Sequence, residues 1–189
     1  MKVLLTLLAN ALMLVSLAGC REQVAFGEEV SDDVRAADPF LLSAADHPQE
    51  WRTHGGTYAE QRYSTLHQID ESNVSNLGLA WTFYTGTTRG LEATPIVIDG
   101  MFYATVTWSK VFALDARTGT KKWEWDPEVD RAYGRRACCD VVNRGVAYHD
   151  GRIFVGVLDS RLAALDAKTG ELFWEVVTAD QSQPYTITG

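Results

Sequence analysis

Ala113-Leu114-Asp115-Ala116-Arg117-Thr118-Gly119 returns 51 residues later as Ala164-Leu165-Asp166-Ala167-Lys168-Thr169-Gly170, and a tryptophan follows four residues after each glycine, Trp123 and Trp174. Asp99-Gly100 returns as Asp150-Gly151 at the same offset. Two separate landmarks with one period make this an internal repeat rather than two similar hairpins. Each Asp-Gly lies between β-rich runs: Ile96-Val97-Ile98 with Met101-Phe102-Tyr103, and Val146-Ala147-Tyr148 with Ile153-Phe154-Val155. Asp-Gly supplies the positive backbone angles of a tight hairpin. In the Leu-Asp-Ala-x-Thr-Gly segment the Asp can bond the backbone ahead of it and the Gly takes the left-handed position, which closes a second turn. The tryptophan then opens a further strand and offers a flat face to a neighbouring sheet. Several short strands per unit of this length predict an all-β chain of β-propeller blades docked by tryptophan.

Two such units are present, and Leu77-Gly78-Leu79-Ala80-Trp81-Thr82-Phe83-Tyr84 reads as a strand that could belong to a third. A propeller closes with about four or more blades, because an open one leaves sheet edges unpaired. The expectation is therefore an N-terminal piece of a longer protein, with the truncated propeller over residues 51–189.

The chain ahead of Trp51 differs in composition. Lys2 precedes an almost continuous apolar run from Val3 to Val15, too short for a permanent bilayer span, and small residues follow at Ser16-Leu17-Ala18-Gly19. Residues 1–19 thus read as a signal peptide. Leu17-Ala18-Gly19-Cys20 resembles the bacterial lipobox, which would lipidate Cys20; the alternative is ordinary cleavage near Ala18. Either way the mature chain is expected in an oxidising compartment, the periplasm, and a lipid on Cys20 would be its one membrane contact. Residues 20–50, acidic and Ala-rich with scattered apolar anchors at Val30, Val34, Phe40 and Leu41, read as a linker or weak helix.

With 17 Lys and Arg against 25 Asp and Glu, the net charge of -8 disfavours nucleic acid, and no basic run compensates. No phosphate-cradling glycine pattern, nucleophile elbow or zinc spacing occurs, and His47, His54, His67 and His149 are expected on loops.

Chemistry concentrates in Cys138-Cys139-Asp140-Val141-Val142-Asn143-Arg144-Gly145. If Cys20 is lipidated, the cysteines left over are this one pair. Neighbouring Cα atoms lie about 3.8 Å apart, inside the roughly 4.4 Å lower limit of ordinary disulfides, so a bond between them would close a strained eight-membered ring. Such a ring encloses almost no loop and adds little stability, which makes a rigid, polarizable platform for a flat ligand a better use than stapling. Two separate thiols, or a metal thiolate pair, are the other readings of the residues alone.

Together with Gly90-Leu91-Glu92-Ala93-Thr94-Pro95 and Thr186-Ile187-Thr188-Gly189, this stretch resembles the pyrroloquinoline quinone (PQQ)-dependent alcohol dehydrogenases, and the likeness runs from Trp51 to Gly189. The resemblance implies an eight-bladed propeller with PQQ near its axis, held between a vicinal disulfide and a Trp from a later blade. It implies that Cys138 and Cys139 form that disulfide and that Glu92, Arg144 and Thr188 bond the quinone. A planar, permanently charged donor fork such as Arg144 suits PQQ oxygens. The activity implied is oxidation of a primary alcohol to an aldehyde by hydride transfer to the quinone. Calcium or a lanthanide would polarise the quinone, and cytochrome c or a quinone would accept the electrons. A haem c domain would follow in some members. The metal ligands and the catalytic Asp are expected beyond residue 189, so this piece alone is expected to be inactive. Asp140 is not read as a substitute base. Leu91-Glu92-Ala93-Thr94-Pro95 looks closer to the ethanol and quinohaemoprotein branch than to the methanol branch. The alternative from another class is a non-enzymatic, lipid-anchored propeller resembling the outer-membrane barrel-assembly lipoprotein, which shares the blade repeat but has no use for Glu92, the cysteine pair and Arg144 together.

Overall fold

A computed structural model describes residues 38–189. The expected signal segment, Cys20 and the first part of the expected linker lie outside the described residues. Two four-stranded antiparallel sheets form, each in simple sequence order. The first contains β1 (Ile96–Ile98), β2 (Met101–Thr105), β3 (Val111–Asp115) and β4 (Lys121–Trp125). The second contains β5 (Ala147–His149), β6 (Arg152–Gly156), β7 (Arg161–Asp166) and β8 (Leu172–Val177). These are two blades of a β-propeller.

The repeat chemistry folds as expected. Asp99 and Gly100 have φ of 50° and 74°, and Asp150 and Gly151 have 46° and 73°, the doubly left-handed geometry of a type I′ hairpin. In the second turn Asp115 Oδ1 accepts from the amides of Arg117 and Thr118 at 3.1 and 3.0 Å. Asp166 Oδ1 accepts from Lys168 and Thr169, both at 2.8 Å. These bonds favour the ionised form, so both carboxyls are held below the ordinary range: the Thr118 hydroxyl contributes most for Asp115, and the Thr169 amide for Asp166. Even the ladder irregularities match, with one register shift at Ala113/Leu114 and its counterpart at Ala164/Leu165.

Strand alternation puts Ile96, Tyr103, Ala113 and Trp123 in one cross-strand row of the first sheet, facing the second. They pack with Ile153, Val155, Ala163 and Leu165 in a single buried cluster between the blades. Trp123 closes it. Its indole Nε1 donates to the carbonyl of Ala167 at 3.0 Å, and its ring lies over Gly170. The opposite face of the first sheet buries Phe112 and Leu114 under Trp81 and Phe83.

Trp81 repeats the arrangement one step earlier: its Nε1 donates to the Ala116 carbonyl at 3.1 Å and its ring covers Gly119. Residues 77–84 therefore take the place of a preceding blade's outer strand, but they form no ladder, contrary to the strand expected from their alternation. A strand needs a hydrogen-bonded neighbour, and none lies beside this segment among the described residues. Likewise Trp123 and Trp174 sit within β4 and β8 instead of opening them, and His149 ends β5 instead of lying on a loop.

The described residues ahead of Trp51 also pack on the blades. The compact unit is Ala37–Gly189. Its first element is α1 (Pro39–Leu42), capped by Asp38, whose side chain accepts from the Phe40 amide. Phe40 packs on Tyr148 with ring centroids 5.1 Å apart, and Asp38 Oδ2 lies 2.8 Å from His149 Nδ1. Arg52 is buried and donates to the Phe40 carbonyl at 2.6 Å while pairing with Glu50. Trp51 then bridges to Val97 on the free edge of β1. Part of the expected linker is thus a short helix whose Phe40 anchors it on the second blade; Val30 and Val34 lie outside the described residues.

Candidate cofactor site

Arg144 is the meeting point of three distant segments. Its Nη2 lies 3.1 Å from Glu92 Oε2, and its Nη1 donates to Thr188 Oγ1 at 2.5 Å. The backbone follows the same path: the Arg144 amide donates to the Thr188 carbonyl at 2.6 Å, and the Thr94 amide donates to the Arg144 carbonyl at 3.1 Å. Glu92 and Thr94 lie just ahead of β1, Arg144 just ahead of β5, and Thr188 past β8. Three of the residues expected from sequence are thereby brought together at the inner edge of the blades. Gly145 makes the approach feasible, since at its φ of 139° a Cβ would come within 2.9 Å of the Thr94 carbonyl oxygen.

Cys138 and Cys139 are joined as a vicinal disulfide, with Cα atoms 3.8 Å apart. The loop carrying them is anchored on three sides. Trp108 donates its amide to the Val141 carbonyl at 2.9 Å, and Val141 and Val142 are buried beneath the blade. Tyr133 Oη donates to the Gln181 carbonyl at 2.9 Å, and Arg136 donates to the carbonyls of Gln181 and Gln183, tying this loop to the segment that leads to Thr188. Arg89 forms an ion pair with Asp140. Arg89 is three residues from Glu92 and Asp140 adjoins Cys139, so one ion pair fastens the disulfide loop to the Glu92 loop. Asp140 itself has a left-handed backbone, φ 67°, and its carboxylate is engaged by Arg89.

Sequence reading assigns this role to neither Arg89 nor Asp140. A signal was present: they lie 51 residues apart, the period of the repeat, and therefore occupy equivalent places ahead of adjacent inner strands.

The side chains of Arg144 and Glu92 are 45% and 43% exposed, so the donor fork is open to a ligand rather than locked in the protein. A guanidinium, a hydroxyl and a sulfur platform suit a planar molecule rich in acidic oxygens. Among the described residues no group of three or more His, Cys, Asp or Glu is placed to hold a metal ion.

Comparison with known proteins places the chain in a family. The family model designated PQQ, described as "Glucose/ethanol/alcohol dehydrogenase, beta-propeller domain", matches residues 51–175. The 1-butanol dehydrogenase (cytochrome c) of Thauera butanivorans is 57% identical over 141 residues, which is 74% of this chain and 20% of that protein. The structure of quinohemoprotein alcohol dehydrogenase ADHIIG from Pseudomonas putida superposes with a TM-score of 0.76 at 53% identity, covering 80% of this chain and 22% of the other. A europium-containing methanol dehydrogenase matches with a TM-score of 0.75 at 41% identity, over 80% of this chain and 27% of the other. The chain thus spans roughly a fifth to a quarter of the length of these relatives. On the family match across most of its length, the chain belongs to the glucose/ethanol/alcohol dehydrogenase β-propeller family.

Proposed function

We propose that this chain provides two blades and one wall of the PQQ site in a longer PQQ-dependent alcohol dehydrogenase. The observation that carries the proposal is the convergence of Glu92, Arg144 and Thr188 beside the Cys138–Cys139 loop. Arg144 orients the acidic edge of the cofactor through its two nitrogens. Glu92 holds the guanidinium in that direction, and the Thr188 hydroxyl adds a donor at the same edge. The disulfide offers the ring system an exposed sulfur face. With the quinone bound, the chemistry supplied is oxidation of a primary alcohol to an aldehyde, with hydride passing to the quinone.

The metal, calcium or a lanthanide, together with its ligands and the catalytic base, is assigned to other parts of the longer protein. Relatives named for cytochrome c and for haem support a cytochrome c or quinone as electron acceptor, and a haem c domain is compatible with them. Periplasmic secretion and lipidation of Cys20 rest on the leader sequence; the mass of the mature N-terminus distinguishes a lipidated Cys20 from cleavage near Ala18.

The test is the full-length protein reconstituted with PQQ and calcium, then supplied with ethanol and a dye acceptor. Dye reduction with quinone absorbance retained on the protein is the expected result. Absence of both would return the chain to the scaffold class.

A further inference from the structure

Arg144 projects from a loop, not from a strand, and the side chain that shapes that loop is Asn143. Asn143 is 1% exposed, yet both polar atoms of its side chain are used. Its Nδ2 donates to Ser109 Oγ at 3.2 Å and to the Gly156 carbonyl at 2.7 Å. Its Oδ1 accepts from the Gly145 amide at 3.1 Å, and its own carbonyl accepts from Thr105 Oγ1 at 3.3 Å. The Oδ1 bond closes an Asx turn from residue 143 to 145, and Arg144 is its central residue. The two Nδ2 bonds reach opposite blades: Ser109 lies in the β2–β3 turn of the first and Gly156 ends β6 of the second. Ser109 is itself fully buried with φ 57°, and its Oγ also accepts from the Leu158 amide at 3.0 Å.

The second blade uses the equivalent serine in a related way. Ser160, 51 residues on, has φ 69° and donates its hydroxyl to the Tyr185 carbonyl at 2.9 Å, three residues before Thr188. In each blade a serine in left-handed conformation grips the segment that carries an expected cofactor contact.

We propose that Asn143, seated on Ser109, is the positioning residue for Arg144: it registers the guanidinium to the two blades at once and so sets cofactor affinity through Arg144. This rests on the PQQ-site reading above. Only an amide at this position can donate twice and accept once; a carboxylate has no donor, and an apolar side chain leaves the Gly156 carbonyl and the Gly145 amide without this partner. The wall's tolerance for error is small, since binding groups displaced by about half an ångström or more lose their effect.

The experiment uses the full-length protein and four forms: wild type, Asn143→Ala, Arg144→Ala and the double variant. PQQ dissociation constants come from absorbance titration, and exchange of the 144 and 94 amides is read on the cofactor-free protein. Asn143→Ala is expected to weaken PQQ by roughly tenfold or more, from groups left unpaired. In the Arg144→Ala background the same change should add less than about twofold, because two residues acting through one contact are not additive. Exchange at both amides should accelerate. Equal losses in both backgrounds, or wild-type affinity in Asn143→Ala, would overturn the proposal. Ser109→Gly carries the same test if Asn143→Ala does not fold, because glycine accepts the left-handed backbone while removing the hydroxyl. If the wild type binds no PQQ, the cofactor reading fails by itself. Amide exchange then decides the positioning role alone: acceleration supports it, and unchanged exchange rejects it.

Discussion

Trp123 donates its indole N–H to the carbonyl of Ala167, 44 residues later, and the same carbonyl accepts the Tyr103 hydroxyl at 3.1 Å. One backbone oxygen at the foot of the second blade thus receives two donors from the first. The glycine three residues on completes the joint, since its missing Cβ makes room for the indole ring.

Substituting Gly170 with alanine would place a Cβ 2.6 Å from Trp123 Cδ2 at a φ of 75°. Overpacking and left-handed strain together should cost about 2–4 kcal/mol. Gly119→Ala, where the Cβ would meet Trp81 at 2.6 Å, should cost a similar amount. Chemical denaturation of the full-length protein checks both, and a loss below about 0.5 kcal/mol would contradict the close docking, being the size of an ordinary surface change.

Arg144→Lys keeps the charge but replaces a fork that reaches Glu92 and Thr188 at once with a single ammonium. PQQ affinity should fall by about 10- to 100-fold, the equivalent of one or two charged hydrogen bonds. Thr188→Ala should cost roughly threefold to tenfold, as for a neutral hydrogen bond. The same titration reads both. Equal affinity for wild type and Arg144→Lys would remove the guanidinium from the site.

The Cys138–Cys139 bond closes the smallest loop the chain allows. Replacing both with serine should therefore change unfolding stability by less than about 1 kcal/mol, well below the value for an ordinary long-loop disulfide. PQQ affinity should nevertheless drop, because the sulfur face is gone. Denaturant midpoints and PQQ titration on one preparation separate the two effects. Alkylation before and after reduction, located by mass spectrometry, should label these positions only after reduction.

Burial pushes the Tyr103 phenol up to about 12. The folded state therefore favours the neutral phenol relative to the unfolded chain, whose tyrosines titrate near about 10. Its contribution is complete below the unfolded value and is lost as pH rises from there through the folded one. Tyr103→Phe should cost about 1 kcal/mol at neutral pH, the hydrogen bond to Ala167. It should also make the alkaline fall in stability shallower than in the wild type. Parallel melting curves across that pH range would show no such role.

Much of this arrangement is written locally. Asp-Gly at 99–100 and 150–151 dictates its hairpins through the backbone angles those residues tolerate, and Asp115 and Asp166 dictate theirs through short-range side-chain bonds. The 51-residue period then reveals that the units are copies. Glu92, Arg144, Thr188 and the cysteine pair were legible as a set from family resemblance, although nothing in their spacing says they touch. Residues 77–84 show the limit of the pattern: their alternation predicts a strand, and Trp81 does dock on the first blade, but strand status belongs to a partner, not to a segment.

What tertiary structure alone decided is which residues share a surface. Asp38–Arg52 became part of the domain because Phe40 met Tyr148, Asp38 met His149 and Trp51 paired with Val97, contacts no local rule encodes. Arg89 met Asp140, and Asn143 met Ser109 and Gly156, because adjacent blades bring equivalent loops side by side. The sequence by itself determined the turns and the repeat, since those depend on dihedral preference and on neighbours a few residues away. The site depends on side chains tens of residues apart meeting within hydrogen-bond distance, and only the docking of one blade on the next sets that distance.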